Sequence, residues 1–129
     1  MIKQVIVIRR DLGMRRGKEI AQGSHASIAF LTNRIKNWGG GKLVDTSEIF
    51  SPVEWEWVNG IFTKVCLQVQ SEKELLEINE TAKKEGLECH LIQDSGKTEF
   101  KGVPTYTCLA IGPDESEKID KVTKHLKLY

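Results

Sequence analysis

The chain has 129 residues, 40% of them hydrophobic and 29% charged, which supplies one globular core and leaves no length for a second. Nineteen Lys and Arg stand against 18 Asp and Glu, a formal net charge of +1, so global basicity is excluded as a route to nucleic acid and any such contact must come from local clustering. Apolar runs such as Val5-Ile6-Val7-Ile8 fall far short of the roughly 18 residues a spanning helix needs. Residues 1–129 are therefore expected to form one domain with no membrane contact. The N-terminus shows neither the charged n-region nor the long apolar h-region of an export signal, which predicts a cytoplasmic protein. The three cysteines, Cys66, Cys89 and Cys108, form no C-x-x-C pair and sit in strand-like segments, as buried structural thiols do.

Four consecutive β-branched residues within 2–9 predict a strand buried on both faces, and so a central one. Past the polar turn from Arg9 to Gly17, residues Ile20, Ser24, Ile28, Leu31 and Ile35 fall on one stripe at about 100° per residue. That spacing predicts a long helix ending near the glycines at 39 to 41. Residues 37–60 lack a clear period and carry Pro52 and all three tryptophans, which predicts an irregular excursion with one short helix near Glu54. Ile61 to Val69 then reads as a strand. Ser71-Glu72-Lys73-Glu74 is a capping box, opening a helix that buries Leu75, Leu76, Ile78 and Ala82. Gly86 is a natural residue to follow that helix, and Cys89 to Ile92 is a short apolar strand. A polar loop from Asp94 to Gly102 leads to a fourth strand, Thr105 to Ile111. Asp114 with Glu117 forms a second capping pattern before Ile119, Val122 and Leu126 at helical spacing.

The order β-α-β-α-β-β-α predicts a single-domain α/β fold, a four-stranded mixed sheet with helices on both faces, in which the last two strands pair antiparallel. Sites in such sheets gather beyond strand ends and at helix N-termini, which selects the loops 9–18 and 94–105. Gly13-Met14-Arg15-Arg16-Gly17-Lys18 joins a strand to a helix, a setting that attracts phosphate. It is not a Walker A loop, since only three residues separate the glycine from Gly-Lys and Glu19 stands where Ser or Thr would bind magnesium. Lys18, Gln22 and His25, at i, i+4 and i+7, share one polar helix face. Asp94-Ser95-Gly96-Lys97-Thr98 leaves a strand end as a tight turn, and an aspartate there, near a lysine from the other loop, is an acid–base or water-orienting pair. No Gly-x-Ser-x-Gly elbow is present, and His25, His90 and His125 share no zinc spacing, so a hydrolase on this chain would use water as its nucleophile. Arg9, Arg10, Arg15, Arg16, Lys18, Lys97 and Lys101 form a basic rim if the two loops converge. Trp38, Trp55 and Trp57, with Phe50 and Phe62, read as anchors of the excursion to the core or to a partner rather than as base-stacking platforms.

Several ordered motifs together resemble the archaeal and eukaryotic type of peptidyl-tRNA hydrolase. They are Arg10-Asp11-Leu12-Gly13-Met14, Gly17-Lys18, Ala21-Gln22-Gly23-Ser24-His25-Ala26, Ser71-Glu72-Lys73-Glu74-Leu75-Leu76, Asp94-Ser95-Gly96-Lys97-Thr98, Ala110-Ile111-Gly112-Pro113 and the tail from Ile119 to Tyr129. The resemblance implies a homodimer that cleaves the ester between a peptide and the terminal ribose of tRNA, with no metal or organic cofactor. It maps catalysis onto Lys18, His25, Asp94 and Thr98, with Arg10, Arg15, Arg16, Gln22, Lys97, Thr105 and Thr107 as substrate-binding residues. Glu99-Phe100-Lys101-Gly102-Val103-Pro104-Thr105 departs from the family pattern by one added residue and the charge of Glu99. A non-catalytic RNA-binding or protein-interaction module on the same scaffold is the alternative. Geometry separates the two, because an enzyme needs Lys18, Asp94 and Thr98 to meet in an open cleft.

Overall fold

The computed structural model describes residues 1–38 and 43–129. The elements are β1 (Ile2–Arg9), α1 (Arg16–Lys36), α2 (Thr46–Ile49), α3 (Pro52–Asn59), β2 (Lys64–Val69), α4 (Glu72–Lys84), β3 (Cys89–Asp94), a 3-10 turn (Phe100–Gly102), β4 (Thr105–Glu115), α5 (Ser116–Thr123) and β5 (Lys127–Leu128). Among the described residues the sheet has five strands rather than four, in the order β3-β4-β1-β2-β5. β1 pairs parallel with β2, and β4 runs antiparallel to both β1 and β3. The extra strand is a two-residue return of the C-terminal tail, with Leu128 opposite Leu67 on β2 and Tyr129 N–H donating to Cys66 O at 3.0 Å. Two residues are too short for an alternating pattern to register in sequence.

β1 is central, and its alternation feeds two cores. Val5 and Val7 pack with Leu75 and Ile78 of α4, Ile119 and Val122 of α5, and Leu109 and Ile111 of β4. Ile6 and Ile8 point the other way, into a smaller cluster with Met14, Ala26 of α1, Cys108 and Ala110. Ser71 caps α4 by accepting from Glu74 N–H at 3.1 Å. The helix ends with Gly86 at φ +75° and bonds from Gly86 N–H to Lys83 O and from Leu87 N–H to Ala82 O, a Schellman arrangement.

Two expectations change here, the irregular 37–60 segment and the Asp114 cap. Among the described residues of 37–60 the short helix expected near Glu54 is α3, opened by a reciprocal Ser51–Glu54 capping box with Pro52 at its first turn, and a second short helix, α2, precedes it where an irregular chain was expected. Trp57 on α3 is buried and donates its indole N–H to Thr63 O at 2.8 Å, an anchor to the core, whereas Trp55 remains exposed beside Phe50. α1 ends at Lys36, and the glycines at 39 to 41 lie outside the described residues. β4 runs on to Glu115 because Asp114 and Glu115 pair with Lys3 and Ile2 of β1, so Asp114 is a strand residue and caps nothing.

The long apolar stripe of α1 also faces outward. The helix buries Gln22, Gly23, Ala26, Ala29 and Phe30, while Ile20 is 63% exposed and Ile28 48%. Small residues let the helix axis approach Ile6 and Ile8 closely, which turns the isoleucines toward β2. There, with Trp57, Phe62 and an exposed Cys66, they line an apolar groove of about 740 Å³ between α1, α3 and the sheet. Cys66 is thus the one cysteine that is not buried; Cys89 and Cys108 are.

The excursion is tied down by charge. Arg34 of α1 grips Glu54 with both guanidinium nitrogens and Glu88 at 2.6 Å, and donates to Ile49 O at 2.8 Å. Glu54 is 3% exposed, so removing its partner strands a buried charge. Arg34→Met should destabilise the fold by about 2–4 kcal/mol in denaturant titration, against less than about 0.5 kcal/mol for exposed Lys36→Met. The hydrogen bond to His90, and then those from Arg34, overcome partial burial and pull the Glu88 pKa from 4.5 down to about 2. Its stabilising effect is complete above pH 4.5 and is lost as pH falls toward 2; Glu88→Gln should flatten that part of the stability–pH curve.

Candidate active site

β3 ends on Asp94, still in register opposite Thr105 of β4. The chain then turns sharply. Asp94 Oδ2 accepts the Gly96 N–H at 2.9 Å, and Gly102 N–H returns to Gly96 O at 2.9 Å. Gly96 has φ +81°, and a Cβ there would lie 2.2 Å from Val103 O, so only glycine fits. Phe100, Lys101 and Gly102 follow one another in the left-handed region, folding the loop back across the N-terminal end of α1. This closed loop carries Thr98 back to the Asp94 carboxylate.

Lys18 lies in the first turn of α1. Its Nζ donates to Asp94 Oδ1 at 2.8 Å and to Thr98 Oγ1 at 2.9 Å, and stands 5.9 Å from the Phe100 ring centroid. The Lys18 and Asp94 side chains retain only 14% and 11% exposure. One turn along, the buried Gln22 directs Nε2 at the same Asp94 oxygen, at 3.4 Å. An ammonium has three N–H donors, so Lys18 keeps one beyond Asp94 and Thr98. Asp94 Oδ1 receives two donors and Oδ2 one, which leaves Oδ2 with a free lone pair. The Lys18 hydrogen bond holds the Asp94 carboxyl below its usual 3.8 against partial desolvation, helped by Gly96 N–H and by the charges of Lys18 and His25. The Asp94 carboxylate is therefore ionised throughout the neutral range.

The other selected residues are dispersed around this centre. His25 is exposed on the next turn of α1 and reaches Asp94 through charge alone. Exposed Arg15 bonds Glu99 at 3.0 Å and so bridges the two loops. Arg16 lines the apolar groove, and Arg10 sits 4.9 Å over the Tyr129 ring beside β5. Lys97 and Lys101 are exposed on the second loop. The Thr105 hydroxyl donates to Val103 O at 2.8 Å. Thr107 is 0% exposed and donates to Gln22 Oε1, which places it behind the site, out of reach of a substrate. The apolar groove lies on the opposite flank of α1 and includes none of Lys18, Gln22, Asp94 or Thr98.

Two residues that serve the site escape a sequence reading. Phe100 forms a wall beside the Lys18 ammonium, and its one signal is an aromatic within a polar loop. The Gly96 approach to Val103 was visible only as Gly in a turn.

A family model described as "Peptidyl-tRNA hydrolase PTH2" matches residues 2–129. A peptidyl-tRNA hydrolase of Methanocaldococcus jannaschii is 47% identical over 98% of this chain and 99% of its own length. One from Methanopyrus kandleri is 43% identical over 99% and 98%. A probable peptidyl-tRNA hydrolase 2 of Dictyostelium discoideum is 39% identical over 98% of this chain and 54% of its own length. Among solved structures, a protein of unknown function from Agrobacterium tumefaciens superposes with a TM-score of 0.55 at 15% identity, covering 99% of this chain and 97% of that one; it shows the same fold.

Two outcomes test this geometry. Gly96→Ala should move Thr98 and Asp94 apart and cost about 10²-fold in any activity of the site, while circular dichroism of the sheet stays unchanged. In Lys18→Met, a carboxyl NMR titration should find the Asp94 midpoint raised toward or beyond 3.8, because the largest influence lowering it is gone.

Proposed function

The chain belongs to the PTH2 family of peptidyl-tRNA hydrolases, and on that premise we propose how its own residues hydrolyse the ester that joins a peptide to the terminal ribose of tRNA. The enzyme is a carboxylic ester hydrolase acting in translation. One observation carries the assignment of the site: a single ammonium, Lys18 Nζ, bonded at once to a carboxylate from β3 and a hydroxyl from the following loop.

Water attacks the ester carbonyl carbon. Asp94 Oδ2 orients that water and accepts its proton as the C–O bond forms; being ionised at neutral pH, the carboxylate is always in its accepting state. Negative charge develops on the carbonyl oxygen, where the remaining Lys18 N–H and the Thr98 hydroxyl proton are free to stabilise it. Collapse of the tetrahedral intermediate breaks the bond to the ribose oxygen, which takes up the proton held by Asp94, releasing tRNA and a free peptide. His25, exposed one turn beyond Gln22, orients the acceptor end. Arg10, Arg15, Arg16 and Lys97, with Thr105 at the loop edge, hold the RNA through phosphates and sugars, contacts that carry no sequence information and suit an enzyme serving many tRNAs. Thr107 is not one of them.

The reading includes a cytoplasmic homodimer. What supports a dimer is the outward apolar stripe of α1 together with Phe62 and the groove they line, a surface of the kind that association covers. No helix among the described residues is long and apolar enough to cross a membrane.

The test is release of labelled peptide from N-acetylaminoacyl-tRNA. Lys18→Ala and Asp94→Asn should each lower the single-turnover rate by about 10²- to 10⁴-fold with tRNA binding retained; near-normal turnover in both sinks the site assignment. Thr98→Ser should retain activity that Thr98→Val loses. Binding should fall with salt at a slope of about 0.7 to 0.9 per phosphate contact. Ile28→Asp should give a monomer by sedimentation if the α1 stripe is the interface, and leave the mass unchanged if it is not.

A further inference from the structure

Gln22 and Thr107 are both buried, at 3% and 0% exposure, and a buried primary amide must place four hydrogen-bonding positions. The carboxylate of Asp94 accepts and cannot donate, so the side of the Gln22 amide facing it has to be Nε2. The opposite side is then Oε1, which needs a donor, and the Thr107 hydroxyl fills that place with a short bond. The neighbouring residue grips the same helix position, with Cys108 Sγ bonded to Gln22 O at 3.2 Å. Thr107 and Thr105 lie on one face of β4, two residues apart, and Thr105 is opposite Asp94 in the sheet register. The sheet that sets the carboxylate thus also sets the amide that faces it.

We propose that Thr107 is a positioning residue whose buried hydroxyl, by donating to Gln22 Oε1, locks the Gln22 amide with Nε2 toward Asp94 Oδ1. This rests on the reading of Asp94 as the water-orienting group and goes beyond it. With Gln22 and Lys18 both on Oδ1, the carboxylate cannot rotate, and Oδ2 is the oxygen left to meet water. Without the Thr107 donor the amide loses its fixed orientation, Oδ1 loses a donor, and the carboxylate is free to turn. The hydroxyl acts through two side chains and touches no substrate.

The experiment compares Thr107→Val, Thr107→Ser and Gln22→Met in peptide release from N-acetylaminoacyl-tRNA, with the Asp94 carboxyl followed by NMR titration. Thr107→Val should lower kcat by about 10- to 100-fold with KM unchanged and move the Asp94 midpoint upward. Thr107→Ser should restore both. Gln22→Met should reproduce both effects, and adding Thr107→Val to it should change nothing further. A Thr107→Val effect on KM alone overturns the proposal, since it means direct substrate contact. So does a fall in melting temperature with kcat and the Asp94 midpoint unmoved, or full additivity with Gln22→Met. Asp94→Asn serves as the control: turnover retained there overturns the hydrolytic reading itself, whereas an unmoved midpoint in Thr107→Val overturns the relay alone.

Discussion

An ammonium from the first turn of α1 and a carboxylate from the last residue of β3 meet at 2.8 Å, and the rest of the site is arranged around that contact. Neither charge is free to leave it. Lys18 is placed by a helix pressed against the sheet through Gly23, Ala26 and Ala29, and Asp94 by its pairing with β4. The attraction alone is a modest source of stability for side chains that keep some exposure. Its value lies in what it leaves over on three neighbouring groups: one N–H on lysine, one lone pair on aspartate and one hydroxyl proton on Thr98. Electrostatic catalysis depends on groups already oriented before charge develops, so that none of the binding energy goes into reorganising them.

The fold supplies that orientation by threading β4 antiparallel between β1 and β3. β1 fixes the start of the loop that leads to Lys18, β3 fixes Asp94, and β4 lies between and joins their registers. The same strand sends Thr107 and Cys108 into contact with Gln22. Polar residues usually weaken a core, yet each polar atom here has a partner, and among the described residues no buried side-chain nitrogen or oxygen lacks one. The second loop is held as firmly: three successive left-handed residues and the Gly96–Val103 approach leave it one shape.

Much of this was legible in the sequence because it depends on local pattern. The β-branched run marked β1 as central, Ser71 and Gly86 bounded α4, and the i, i+4, i+7 spacing put Lys18, Gln22 and His25 on one helix face. That Lys18 meets Asp94 and Thr98 is a matter of strand order, which one sequence does not encode locally. The α1 stripe identified the helix but not its buried face: hydrophobic spacing marks an apolar face without saying what covers it, and close helix–sheet packing buries Gly23 and Ala26 rather than the isoleucines. α3 was legible as a short helix near Glu54, but α2 and the anchors of the segment, Arg34 to Glu54 and Trp57 to Thr63, were not, being short or held by side-chain contacts with no period. Thr107 came only from the resemblance, as a substrate-binding residue; its burial and its bond to Gln22 depend on how β4 packs against α1, which no local pattern records.

The most direct test of the central claim is a double-mutant cycle on Lys18 and Asp94 in the single-turnover cleavage of N-acetylaminoacyl-tRNA. If the two act as one unit, Lys18→Met/Asp94→Asn cleaves at about the rate of the slower single variant, because the second substitution has nothing left to remove. Multiplicative losses would contradict the account, placing the two residues in independent roles and leaving their 2.8 Å contact without a part in the chemistry.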